Sequence, residues 1–194
     1  MHDDNRANFS KRKRGPEPAA GGRNSEFTDR AYELARYRRR RGRLKTITVW
    51  QPWAQLLAEG IKHDETRSWA TKYRGPILIH AAKANHVHDI LGFSGEPYPR
   101  RYFDKAGITK ERNLVFGAII GKAILVDCKL IDEEYREFIE TMCPAEFAFG
   151  DFTVGRYAWR LEEPVLFKKP IPASGKQRLW EYNGELEEVP YGKE

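Results

Sequence analysis

The stretch from Ile47 to Lys83, ITVWQPWAQLLAEGIKHDETRSWATKYRGPILIHAAK, constrains the fold more than any other, because its apolar runs are short and cut by turn residues. Ile47-Thr48-Val49-Trp50 favours a strand. Pro52 then sits where a first helical turn tolerates a missing N–H, and Trp53, Leu56 and Leu57 recur at helical spacing. Gly60, free to adopt the left-handed conformation, ends that helix. In an extended chain Lys62, Asp64, Thr66 and Ser68 would share one side, and His63, Glu65, Arg67 and Trp69 the other; a turn before the strand would instead let Lys62 and Glu65 converge. Arg74-Gly75-Pro76 is a turn, and Ile77-Leu78-Ile79-His80 reads as a buried strand. An amine, a carboxylate, a guanidinium and a tryptophan thus gather about one strand, which is more polar chemistry than packing requires.

The rest of the chain continues the pattern of short elements. Residues 81–91 suit a helix, and 92–113, with Gly92, Gly95, Pro97, Pro99 and Gly107, read as an irregular insertion carrying Arg100, Arg101 and Lys105. The run LVFGAIIGKAILVDC, Leu114 to Cys128, fits a central strand that bends or bulges at its glycines. Residues 132–141 are helical in pattern. Phe152-Thr153, Arg156 to Leu161 and Val165 to Phe167 are strand candidates interrupted by Pro164, and Leu179-Trp180 is a last pairing. Many short strands with few helices predict a compact barrel with helical decoration.

Charge divides the chain sharply. Residues 1–45 hold 14 of the 34 Lys/Arg and 6 of the 28 Asp/Glu, so the remainder has 20 basic and 22 acidic side chains. Any nucleic acid bound by the body must therefore use a local patch, with the N-terminal segment adding nonspecific attraction. Residues 1–44 read as a basic, largely disordered arm with a short helix near 28–41. Within it Lys11 to Arg14 form a basic run, and Arg38, Arg39, Arg40 and Arg41 either solubilise the helix or contact phosphates. Residues 45–184 form the folded domain and 185–194 an acidic tail. No run approaches the ~20 apolar residues of a membrane span and the N-terminus is polar, so no membrane is expected. The expected location is cytoplasmic, with the nucleus as the alternative for a eukaryotic source. Cys128 and Cys143 stand apart and read as packed thiols. His80, His86, His88 and Asp89 are close in sequence, but His86 and His88 diverge on the predicted helix, so neither a metal nor another cofactor is expected.

The run QPWAQLLAEGIKHDETRSW followed by YRGPILIHAAK resembles the ASCH family, whose hallmark G-x-K-x-x-E-x-R is present as Gly60, Lys62, Glu65 and Arg67. The segment GDFTVGRYAWRLEEPVLFKKPIPASGKQRLWEY, residues 150–182, resembles the closing part of that family, so the likeness covers residues 45–182. It departs at Arg178, where the family often has glycine before the final Leu-Trp. The resemblance implies an α+β fold, a PUA-like small mixed β-barrel decorated by short helices. It also implies RNA or a modified nucleobase as the partner, with DNA as the alternative. Some relatives are amidohydrolases acting on acetylated cytidine through a lysine, a threonine and a glutamate. Lys62 matches that lysine, but Glu65 stands where the threonine would be; other relatives have been proposed as ribonucleases.

Aromatic rings give unpaired bases a stacking surface, Lys and Arg contact phosphates, and a carboxylate accepts hydrogen bonds from a base edge. Trp53, Trp69 and Tyr73 beside Lys62, Glu65, Arg67 and Arg74 supply that combination, with Gln51 and Ser68 completing the candidate cleft. Trp53 also fits a core position on its helix, and Glu65 with Arg67 also fits a structural ion pair. The leading expectation is recognition of RNA or a modified base. A small hydrolase using Lys62 and Glu65 is the second, and a module recruiting a nucleic-acid or transcription complex the third.

Overall fold

A computed structural model describes residues 44–84, 86–87, 100–108, 114–184 and 186. All of these fall in the unit formed by residues 42–194. The arm, including Arg38 to Arg41, and nearly all of the acidic tail lie outside the described residues.

Ten elements follow in order: β1 (Leu44–Val49), α1 (Trp53–Glu59), β2 (Asp64–Arg67), β3 (Gly75–Ala81), α2 (Arg100–Lys105), β4 (Ala118–Leu130), α3 (Glu133–Met142), α4 (Pro144–Ala148), β5 (Tyr157–Pro172) and β6 (Leu179–Tyr182). The strands make one sheet in the order β2-β5-β4-β3-β1-β6, antiparallel throughout except for the parallel β1–β3 pair. Alternation along β3, and along β4 once its register shift between Lys122 and Ile124 is included, sends Ile77, Ile79, Ile120 and Leu125 into a core shared with Ile47, Val49 and Trp159, against which α1 lays Ala54, Leu57 and Ala58. A second cluster joins Leu56 to Phe103 and Phe149. No described helix is long and apolar enough to cross a membrane.

The barrel expectation needs correction. The sheet is open: β2 and β6 are its two ends, and no ladder joins them. The four-residue β2 pairs only with β5, and β6 only with β1, so backbone hydrogen bonding stops before closure. Curvature comes from the long β4–β5 pair, whose register shifts between Ile119 and Gly121, between Lys122 and Ile124 and between Leu125 and Asp127. Each extra residue bends its strand and increases the local twist. Pro164 falls inside one such shift, opposite no ladder partner, so the expected separate strands are one continuous β5.

Other expectations shift as well. The insertion read at 92–113 contains helix α2, because Phe103 docks fully buried in the second cluster and gives RRYFDK an apolar anchor. The helix read over 81–91 does not begin at Ala81, which ends β3; the Ala82 N–H donates to the Val49 carbonyl at 2.8 Å. Most of 85–91 lies outside the described residues. Phe152 is a core contact with Ile131, Ile139 and Ala158 rather than part of a strand. Gly60 ends α1 at φ 74°, and a Cβ there would lie 2.7 Å from Pro164 Cγ.

Gly121 leaves no room for a side chain, since a Cβ there would meet the Val165 carbonyl oxygen at 2.6 Å and Ala58 Cβ at 2.9 Å. Gly121→Ala is therefore expected to force the β4–β5 pair or α1 apart and lower stability by about 1–3 kcal/mol. Chemical denaturation of the two proteins checks this; equal midpoints would show that the contact yields at no cost.

Candidate nucleic-acid interface

Strand β2 carries two different chemistries on its two faces. Asp64 and Thr66 project toward α3 and the segment after α4: the Tyr135 hydroxyl donates to Asp64 Oδ2 at 2.8 Å, and the Asp151 N–H donates to Thr66 Oγ1 at 3.2 Å. Glu65 and Arg67 project the other way, Glu65 lying opposite Trp159 and Arg67 opposite Tyr157 on β5.

Lys62, just ahead of β2, is only 2% exposed. Its ammonium donates to the Asp64 carbonyl and lies 3.7 Å from Glu146 Oε1. Glu146, presented by α4, also accepts from the N–H groups of His63 and Asp64, both at 2.9 Å, and its Oε2 is 3.4 Å from His63 Nδ1. Burial opposes its ionisation, but the His63 ring, the Lys62 charge and the two backbone N–H groups outweigh that and hold the carboxyl below its usual range. The Glu146 hydrogen bond in turn raises the His63 imidazole, against partial burial. Asp64, also paired with Arg160 Nη1 at 3.3 Å, is pushed up by burial, and burial likewise raises Tyr135. Lys62 is thus committed to internal partners, whereas Glu65 is committed to Arg67. The convergence of Lys62 with Glu65 is not the arrangement adopted.

On the opposite face, Arg67 Nη2 bonds Glu65 Oε1 at 2.9 Å and the Thr48 carbonyl of β1 at 2.7 Å. β1 lies four strands away from β2 in sheet order, so this side chain spans the open mouth that no ladder closes. Arg67 Nε is buried with no hydrogen-bond partner among the described residues. The neighbouring Trp69 is half-buried. Its ring meets that of Trp159 edge-on at 4.5 Å, and its carbonyl accepts from Trp159 Nε1 at 3.2 Å. The Arg178 guanidinium sits 5.6 Å from the Trp69 ring centroid. Arg178 adopts φ 60°, the left-handed region in which glycine is cheapest and a Cβ costs strain.

The other expected contacts take separate places. Gln51 is buried: its Nε2 donates to the Val115 carbonyl at 2.8 Å, and its Oε1 accepts from the Gln55 N–H at 3.0 Å, which satisfies the start of α1. Trp53 packs between the two main clusters. The Tyr73 hydroxyl donates to the Pro76 carbonyl. Arg74 clasps Asp127 at 3.0 Å together with the Thr71 and Tyr73 carbonyls. Ser68 is exposed beside Arg67 in the chain. Sequence reasoning missed Glu146, whose only advance signal was that a lysine in an apolar setting needs a carboxylate. It also missed Thr48, which takes part through its carbonyl and so leaves no side-chain trace. Among the described residues, no group of three or more His, Cys, Asp or Glu is placed to hold a metal ion.

The His63–Glu146 pair carries a signed pH dependence. Because folding raises the His63 pKa, its stabilising contribution is complete below the unfolded value near 6.5 and is lost as pH rises through the higher folded value. The stability gap between wild type and His63→Gln should therefore be widest on the acidic side of 6.5 and shrink above it, as read by denaturation across pH. A gap independent of pH would contradict the pairing.

Comparison with known proteins bears on the whole of this region. A family model described as the ASCH domain matches residues 47–176. Activating signal cointegrator 1 of Homo sapiens is 24% identical over 143 residues, which cover 72% of this chain and 22% of that protein. The Mus musculus protein of the same name is 22% identical over 140 residues, with the same two coverages. The chain therefore corresponds to only 22% of the length of these curated relatives. With the family model running over more than half of its residues, the chain belongs to the ASCH domain family.

Proposed function

We propose that the chain binds RNA by holding an unpaired or modified base at the mouth formed by Glu65, Arg67, Trp69 and Arg178. The observation that carries this reading is the buried Arg67 Nε–H, a donor without a partner among the described residues, set beside a carboxylate and a half-buried indole. An unmet buried donor costs about 1–3 kcal/mol, which a base oxygen or ring nitrogen would recover on binding. Glu65 accepts from the base edge, Trp69 supplies the stacking face, and Arg178 contributes a cation over that face. Gln51 and Trp53 support the site only from within the body, Tyr73 and Arg74 brace the turn before β3, and Ser68 lies exposed beside Arg67 in the chain. Lys62 acts from beneath, its bonds to Asp64 and Glu146 fixing β2 so that Glu65 and Arg67 are presented rigidly. The arginines at 38–41 are assigned nonspecific phosphate contacts.

A hydrolase working through Lys62 and Glu65 draws little from this geometry, because the amine and the carboxylate are tied to different partners. The activity of the longer relatives is likewise no guide to a reaction here.

Arg67→Lys keeps the charge but removes Nε and the planar fork, so it separates hydrogen-bond recognition from simple attraction. Affinity for a panel of single-stranded RNAs and modified nucleosides, measured by fluorescence anisotropy and calorimetry, should fall about tenfold or more for those ligands the wild type binds. Equal affinity for every ligand would overturn the reading. So would wild-type turnover of a panel member into products that Lys62→Met abolishes in folded protein.

A further inference from the structure

We propose that Trp50 and His86 form a second stacking platform that holds the nucleotide next to the one at the mouth; this rests on the reading that a single RNA strand enters there. Of the five tryptophans, Trp50 alone is exposed, at 51%. It joins none of the four apolar clusters of the described residues, so core packing does not account for it. Its ring instead lies 4.4 Å from that of His86, inclined by 40°. A ring braced by another ring loses less freedom when a base settles on it, which makes an exposed indole a better binding surface than a mobile one.

Position ties the pair to the mouth. Trp50 lies two residues beyond Thr48, whose carbonyl receives Arg67, a separation of roughly 7 Å along an extended chain. The same Thr48 donates its hydroxyl to the Lys176 carbonyl at 3.0 Å, which hangs the exposed Lys176 from the end of β1. Thr48 Oγ1 also accepts from Trp180 Nε1 at 3.1 Å, and Lys176 Nζ lies 5.9 Å from the Trp180 ring centroid. One threonine thus links the guanidinium of the mouth, an exposed cation suited to a phosphate, and the strand end that presents Trp50. Stacking rings with a lysine along a path is the chemistry of single-strand recognition, and it tolerates any base because every base has a π face.

The test titrates RNA oligonucleotides of one, two and four nucleotides, in each of the four bases, against the full chain and against its Trp50→Ala and Trp50→Phe variants. Wild type should gain on the order of tenfold in affinity from one nucleotide to two. Trp50→Phe should keep most of that gain, and Trp50→Ala should lose it while binding the single nucleotide as wild type does. Thermal denaturation verifies that both variants are folded, as expected for a half-exposed site. If Trp50→Ala matches wild type at every length, the platform is overturned and the mouth stands. If Trp50→Ala weakens the single nucleotide equally, Trp50 is part of the mouth and no second platform exists. Failure of wild type to bind any of these RNAs overturns both readings together.

Discussion

One guanidinium holds the open side of this molecule. The ladder that would close the sheet into a barrel is missing, and Arg67 of β2 reaches instead to the Thr48 carbonyl of β1 while keeping Glu65 beside it. A charge-assisted hydrogen bond of this kind contributes about 1.5–3 kcal/mol. Its geometry matters as much as its strength, because the planar fork serves a carboxylate and a carbonyl through Nη2 and still leaves Nε aimed elsewhere. A lysine ammonium could span the gap but could not leave a second donor in fixed relation to the first. The side chain that bridges the unpaired strands therefore also carries the donor proposed above to meet a base.

For that group to be rigid, β2 must be rigid, and a four-residue strand at a sheet edge has little hold of its own. The hold comes from its other face. Lys62, Glu146, Asp64, Tyr135 and Arg160 form a chain of charge-assisted contacts that fastens β2 and its approach to α3 and α4. Buried charges of this kind are stable only when all are paired, so they specify one arrangement of the strand rather than add much net stability. In this chain the hallmark spacing divides between two faces: Lys62 is bonded to Asp64 and Glu146, and Glu65 and Arg67 are paired on the opposite side of β2.

Much of this was legible in the sequence, and the reasons for the remainder are physical. The strand and helix of residues 44–59, the closing Gly60, the bulged β4 and the helix at 133–142 were readable because period, turn residues and glycines are local signals. The open sheet was not, since closure depends on whether two distant strand ends pair. Helix α2 was hidden by the Gly- and Pro-rich residues around it, and only the distant pocket for Phe103 explains it. Within the site, alternation placed Glu65 and Arg67 on a common face. The burial of Lys62 was not legible, because its partner Glu146 is remote in sequence and burial beside a remote carboxylate leaves no pattern near the lysine. The contribution of Thr48 is made through its backbone, which side-chain chemistry does not announce. Arg178 departs from the family pattern at a left-handed position where a Cβ costs strain, and nothing in the local backbone favours the arginine.

The account depends on Arg67 Nε–H being a donor held ready for a ligand. Its ¹⁵N–¹H resonance, followed by NMR while a single-stranded RNA that binds the protein is added to saturation, reads that group directly. The signal should be protected from solvent exchange in the free protein and move downfield as the N–H gains an acceptor. A signal that stays in place at saturation, while resonances elsewhere in the chain shift, would mean that RNA binds without using the mouth.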